Sequence, residues 1–428
     1  MQLNYLISKF FLSTIAKFIA SLGVILFNII IIYFNNANSL GVISSALSLI
    51  VFLSIFTKFG LNLASLKLTS IFYEKKDLNQ INQLILQTIL ISGIISFFLS
   101  LCLIFFEKEI STEIYKNDEI KGVLKIFAIS LPFFTFLQLQ KSLFKSFKKP
   151  ELSGLSDVGS ILFLVCVIIL FSVVIGINLN TYRISIFFLF SCIIIFSLNN
   201  FILFYVILKN SKIFRINNFP ILKNNLVKSL PDYFSIDFVN YINVWGCIFF
   251  CSFFFKSEIV GSFSSVYWLA YSLIFFPMVL NSIYAPYYAI NSKPKNISQQ
   301  NKLFYQNRNL SFIITFPIFL VLFIFSDFFL ETIFDIYSYE FNIIFKILLI
   351  NSLIRIIFGP QNLFLNMTDE QKSLKFILIS CAIIQIFLIL SSLIFFDLIY
   401  LAIFFLISNL IKHLWLMKIL YKKLNSQI

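Results

Sequence analysis

Apolar residues fall in long runs separated by short polar segments. The runs lie near 11–34, 40–66, 84–106, 122–144, 155–177, 184–208, 229–253, 259–284, 309–330, 341–364, 373–396 and 398–420. A helix needs about 20 mostly apolar residues to cross the hydrocarbon of a bilayer. The pattern therefore predicts twelve transmembrane helices with both chain ends on one side, an all-α polytopic membrane protein. The first run, Phe10 to Phe34, is too long for a signal-peptide core and lacks a small-x-small cleavage site, so it is expected to remain as the first span.

Composition agrees. Apolar residues make up 59% of the 428 and charged residues only 12%, and the mean hydropathy is +0.94. A soluble domain carries roughly 25% charged residues, so too few are present to cover a soluble globule. Glycine (11) and proline (9) are scarce, which argues against a long linker. The net charge of +14 first suggests a polyanion partner. If the termini are cytoplasmic, however, 24 Lys and Arg fall on the inner side and 5 on the outer: Lys108, Lys116, Lys121, Arg183 and Lys256. The remaining four, Lys58, Lys125, Lys346 and Arg355, lie in or at the edge of spans. That asymmetry is the positive-inside bias; it sets the expected orientation and accounts for the basic excess without nucleic acid. The six cysteines all sit in apolar runs with no CxxC, and Cys247 and Cys251, which share a helix face, have no histidine near them. They read as small core hydrophobes, with no disulfide framework, zinc site or cofactor indicated.

The two halves of the pattern match. The segment beginning at Gly41 resembles that beginning at Gly261, aligning Ser44-Ser45 with Ser264-Ser265 at an offset of 220. A second match, Lys125 with Lys346 and Leu143 with Phe364, has an offset of 221. A duplicated six-helix unit follows, with lobes expected at 1–215 and 216–428. Six is even, so both copies face the same way, as in transporters whose substrate path lies between parallel repeats.

Charge within a span costs several kcal/mol, roughly 2.5–3.5 on insertion scales, and persists where it meets a cavity or a partner. Lys58, with Asn62 one turn on, either snorkels to the inner headgroups or faces a cavity as an anion site. Arg355 is one of only four arginines against 29 lysines; its fork suits a phosphate or carboxylate, unless it pairs with a span acid. Asp232 follows Pro231 at a helix start, where the dipole favours an acid, while Asp237 lies deeper, with Asn240 and Asn243 following. Asp157 reads as a boundary residue, and the aromatic run Tyr284 to Tyr288 as interface tyrosines or a path lining.

Several motifs occur in order along the chain. Span 7 begins Leu230-Pro231 and reaches Asn243-Val244-Trp245. Span 8 opens Glu258-Ile259-Val260-Gly261-Ser262-Phe263 and closes Asn281-Ser282-Ile283-Tyr284-Ala285-Pro286. Span 10 ends Gly359-Pro360, then Leu365-Asn366-Met367-Thr368-Asp369-Glu370. This set resembles the Wzx-type oligosaccharide flippases of the MOP superfamily, which also holds the MATE exporters. Two departures stand out: the acidic residue usual after the Asn-Trp stretch is replaced by Gly246 and Cys247, and the usual glycine of the span 10 motif is Asp369. The resemblance implies a twelve-helix transporter of two six-helix lobes in the bacterial plasma (inner) membrane. Its expected substrate is a lipid-linked oligosaccharide on undecaprenyl diphosphate, flipped to the periplasmic leaflet for O-antigen or capsule assembly beside a polysaccharide polymerase. Lys58, Arg355, Asn62, Arg308 and Lys17 are the expected contacts to the diphosphate and sugar, and Asp237 the coupling-ion candidate. An enzyme is disfavoured: the only histidine, His413, is expected at the cytoplasmic end of span 12, and the largest outer loop is only Glu107 to Lys121. A MATE-type drug or cation antiporter is the nearest rival; a lipid II flippase, which usually has two further helices, is the next.

Overall fold

A computed structural model describes residues 2–208, 224–290, 297–367, 371–395 and 397–425. Thr368-Asp369-Glu370 of the span 10 motif, and the loop cations Lys209, Lys212, Arg215, Lys223, Lys293 and Lys295, lie outside the described residues. Sixteen helices of seven or more residues follow one another. The first eight are α1 (Gln2–Phe34), α2 (Ala37–Lys58), α3 (Leu61–Glu74), α4 (Leu78–Phe105), α5 (Ile120–Ser146), α6 (Val158–Val174), α7 (Thr181–Leu208) and α8 (Asn224–Phe254). The others are α9 (Ser257–Tyr271), α10 (Phe275–Ile290), α11 (Ile297–Ile324), α12 (Ser326–Phe334), α13 (Tyr339–Phe358), α14 (Gln361–Met367), α15 (Gln371–Phe395) and α16 (Leu398–Asn425). No strand occurs among the described residues.

Among the described residues, eleven stretches are long and apolar enough to cross a membrane, α9 and α10 together forming one of them. The helix α6, of 17 residues, is apolar but shorter. Bulky side chains such as Phe97, Phe98, Phe171, Phe201 and Phe387 stand more than 60% exposed on these helices, as expected where the surrounding solvent is hydrocarbon. The chain is an integral, multi-pass, all-α membrane protein.

The hydropathy runs correspond to these helices, with three differences that alter where polar residues sit. The second run breaks after Lys58, where Phe59 and Gly60 both adopt left-handed backbone, so Asn62 belongs to α3. The ninth breaks at Phe325, ahead of α12. The tenth ends at Phe358, because Gly359 (φ 74°) takes a conformation open to glycine and Pro360 cannot continue the helix. Asn36 caps α2 by accepting from the Ser39 amide at 2.8 Å, and Asp77 caps α4 by accepting from Gln80 at 3.1 Å.

By packing, the chain divides into two units. The first comprises Met1–Tyr241 and Phe255–Gly261. Its centre is α2, buried along most of its length. Small hydroxyl residues satisfy themselves on the preceding turn there, as Ser45 does on the Gly41 carbonyl at 2.8 Å. Thr57 and Thr135 join α2 to α5 at 2.8 Å, Ser100 donates from α4 to the Ala128 carbonyl at 2.6 Å, and Asn199 donates from α7 to Ser156 at 2.8 Å. Helix α2 meets the start of α9 backbone to backbone. A Cβ on Gly41 would lie 1.6 Å from the Ser257 carbonyl oxygen, and a Cβ on Gly261 would lie 1.9 Å from that of Ala37. Ala37 and Ser257 are themselves 220 residues apart. The two close approaches are thus reciprocal, at the 220-residue offset noted in the sequence.

The second unit comprises Ile242–Phe254 and Ser262–Ile428. Its core gathers Tyr288, Phe304, Phe364, Leu374, Cys381 and Leu416. Polar ties reinforce it: Tyr267 donates to the Val244 carbonyl at 2.7 Å, Ser352 to that of Ala270 at 3.0 Å, and Gln385 to that of Ile242 at 3.2 Å.

Candidate functional site

The expected site residues fall into one cluster in each unit. In the first unit, Lys58 is the last residue of α2 and only 8% exposed. A cation is favoured at a helix C-terminus by the free carbonyls there. Asp237 on α8 and Lys141 on α5 are within its electrostatic reach. Lys58 makes no hydrogen bond among the described residues, and the buried Oδ2 of Asp237 accepts none. The two charges thus face one another's field without closing into an ion pair. Lys141 does pair, with Asp157 at the N-terminus of α6, and Lys17 on α1 lies in the field of both. Asp157, read in the sequence as a boundary residue, sits where helix α6 begins and holds Lys141. The Oδ1 of Asn62 on α3 is buried without a partner. Counting Lys145, this end of the unit gathers four lysines and two aspartates.

The second unit holds a pocket of about 280 Å³. It is built where α13 stops at Gly359-Pro360 and α14 starts, between α10, α11 and α16. Arg355, Gln361, Asn362, Asn281, Ser311 and His413 supply its polar lining, and no acid is among the described lining residues. The Arg355 guanidinium lies over the Tyr271 ring at 5.5 Å. Lys412 and His413 lie within its electrostatic reach. Lys412 is 4% exposed and donates to Asn409 at 2.6 Å and to Asn243 at 2.7 Å. The Asn-Trp stretch of α8 therefore places an acceptor on a buried cation, while Trp245 packs edge-on against Trp268.

His413 is 6% exposed and stacked on Phe358. The Gln361 amide nitrogen donates to the His413 carbonyl at 3.1 Å, which fixes that amide's orientation and turns Oε1 toward His413 Nδ1 at 2.9 Å. An amide oxygen can only accept, so Nδ1 carries the hydrogen and Nε2 is the free nitrogen of the neutral ring. That Nε2 is buried and unpartnered. Behind the pocket, Asn307 donates to Asn281 at 3.0 Å and to the Tyr288 hydroxyl at 3.3 Å.

Arg308 lies outside this lining. Its aliphatic stem runs against Gly359, while its guanidinium lies over Tyr305 at 4.8 Å and donates to Asn309 at 3.2 Å. Sequence reasoning thus found Arg355 but missed its companions. By run length alone, Lys412 falls with the cytoplasmic C-terminal charges and His413 at the cytoplasmic end of span 12. The sequence did carry a signal: they are 14 and 15 residues past the start of α16, or about 21 Å along it, well inside a core roughly 30 Å thick.

The MatE family model matches residues 13–155. No curated protein sequence matches the chain. Solved structures share the fold over almost the whole chain. The lipid II flippase MurJ, in an inward closed conformation, superposes with a TM-score of 0.71 at 19% identity, covering 96% of this chain and 87% of that one. The MATE multidrug transporter DinF-BH gives 0.69 at 16% identity, covering 97% and 94%. A MOP superfamily transporter from Pyrococcus furiosus, described as having a binding pocket of reverse polarity, gives 0.65 at 11% identity and 96% coverage of both chains. At these identities the likeness establishes the fold: the chain folds as MOP-superfamily transporters do.

Proposed function

We propose that this protein is a transporter that flips an undecaprenyl-diphosphate-linked oligosaccharide from the cytoplasmic to the periplasmic leaflet of a bacterial plasma membrane. Its product feeds O-antigen or capsule assembly by a polysaccharide polymerase. Two six-helix lobes, 1–215 and 216–428, alternate access to the substrate, and both termini are cytoplasmic.

The observation that carries this reading is the pocket beside Gly359-Pro360, where Arg355 projects into a lining without an acid among the described residues and Lys412 adds to its field. A cation-exporting cavity needs the opposite sign. Arg355 presents a planar fork to a diphosphate oxygen pair. Lys58, with Lys17 and Asn62 nearby, supplies a further anion contact in the first unit, while Arg308 contacts the sugar from the pocket's edge. Asp237, whose carboxylate is not closed onto Lys58, takes the coupling ion or proton.

The unpaired Asp237 is also what favours the second reading, a MATE-type cation or drug antiporter. Proteoliposomes separate the two. Purified protein is expected to move a fluorescent undecaprenyl-diphosphate oligosaccharide across the bilayer and to leave the cationic dye ethidium uncoupled from an ion gradient. Gradient-driven ethidium efflux without movement of the lipid-linked sugar would overturn the flippase reading.

A further inference from the structure

A second cavity, of about 550 Å³, opens on the flank of the first unit between α4, α5 and α7. Its walls are apolar, with Ile85, Ile89, Phe136, Phe196 and Phe204 among them, yet three carboxamides line it: Asn82, Gln140 and Asn200. Gln140 is only 4% exposed and donates to Asn200 at 2.9 Å, which leaves its Oε1 buried without a partner. Asn82 makes no hydrogen bond among the described residues, and Asn200 is exposed on the wall. Amide groups facing hydrocarbon are strongly disfavoured unless something hydrogen-bonds them. Three on one groove, one of them buried with a free acceptor, require a polar partner at that depth.

The depth identifies the partner. Asn82 is the fifth residue of α4, Gln140 is six residues from the end of α5, and Asn200 is eight from the end of α7. All three helix ends lie at the same mouth, so the amides sit about 6–12 Å inside it. That is the boundary between the headgroup layer and the hydrocarbon, where a glycerolipid carries its ester carbonyls and glycerol oxygens. Deeper along the groove, only apolar walls continue. At the mouth, Leu78 of α4 packs with Phe147 beyond α5, and Phe147 touches Tyr73 ring to ring at 5.4 Å. The residues flanking that contact are Lys75, Lys76, Lys148 and Lys149. The groove thus runs from positive charge through amides to an apolar trough.

We propose that this groove is a binding site for an anionic phospholipid of the leaflet at the lysine-rich, expected cytoplasmic, face. Its phosphate lies at the lysines, its ester region at the three amides, and one acyl chain between α4 and α7. The site is separate from the cation clusters and does not depend on the transported substrate. An isoprenoid chain fits it less well, because it carries no oxygen at amide depth.

Native mass spectrometry of the purified protein tests this with three probes: dioleoylphosphatidylglycerol, dioleoylphosphatidylcholine and a polyisoprenyl phosphate. The expected result is one retained phosphatidylglycerol, held in preference to the other two. Gln140→Leu with Asn200→Leu replaces both members of a pair by apolar groups of similar shape, a change that folding tolerates, and is expected to weaken retention about tenfold. Lys76→Gln with Lys148→Gln, outside the packed core, is expected to abolish the preference for the anionic lipid. Equal retention of phosphatidylcholine, displacement of phosphatidylglycerol by the polyisoprenyl phosphate, or unchanged retention in both double variants would overturn the proposal.

Discussion

Replacing Arg355 by alanine distinguishes a binding role from a structural one. The two roles predict opposite balances of stability and affinity. In binding, a guanidinium held by two charge-assisted hydrogen bonds contributes about 1.5–3 kcal/mol for each bond. Loss of both then weakens a bound diphosphate by about 3–6 kcal/mol, or roughly 10²–10⁴-fold. Lysine keeps the charge but not the fork, so Arg355→Lys loses about half of this, roughly 10- to 150-fold. In folding, the alanine variant loses the contact over Tyr271, about 1 kcal/mol. It also removes a positive charge from the field of Lys412, a relief on the order of 1 kcal/mol at an effective dielectric constant near 20. No acid among the described lining residues is stranded, so the two terms nearly cancel. The expected outcome is a melting temperature within a few degrees of wild type in detergent, together with loss of binding to the lipid-linked diphosphate by microscale thermophoresis. An unfolded alanine variant, or one that folds and binds as before, would refute the reasoning.

Five other substitutions have expected outcomes. Gly261→Leu drives carbon into the Ala37 carbonyl and is expected to cost about 3 kcal/mol or more in a detergent melt; Gly246→Ala, which meets only the Ile242 side chain at 3.4 Å, should leave that melt unchanged. Gln361→Leu strands the His413 Nδ1 hydrogen and carbonyl and is expected to destabilise by about 1–3 kcal/mol. Lys58→Ala should insert normally and lose surface polysaccharide in cells, whereas Asp157→Asn, which breaks a pair left 28% exposed on each side, should cost no more than about 1 kcal/mol of stability.

How much of this was legible in the sequence depends on what hydropathy records. Run length reports a crossing, so the eleven membrane-length stretches were visible, and the twelfth run corresponds to the shorter apolar helix α6. It does not report where a helix breaks inside an apolar stretch. Lys58-Phe59-Gly60 and Phe358-Gly359-Pro360 each lie within a continuous run, and the breaks there move Asn62 onto α3 and open the pocket beside Arg355. The Gly-Pro pair could have been read as a stop; the Phe59-Gly60 turn gave only its glycine as a sign. Nor does hydropathy give direction. A helix that is apolar all round has no phase to show which face meets protein and which meets lipid. The lone histidine therefore looked like an end residue, and Lys412 like a loop charge.

Rarity was the more useful signal. Arg355 stood out because arginine is scarce, and the pocket formed around it. Applied evenly along the chain, the same criterion singles out His413, the only histidine; Gln140 and Asn200 are not rare residue types and stand out only by where the fold puts them. In a chain this apolar, each polar side chain at membrane depth must be satisfied by another helix, by a ligand or by lipid. Thr57 and Asn243 meet the first requirement. Arg355 and His413 border a pocket that an anion would complete, and Gln140 opens on a groove where a lipid's own oxygens are within reach.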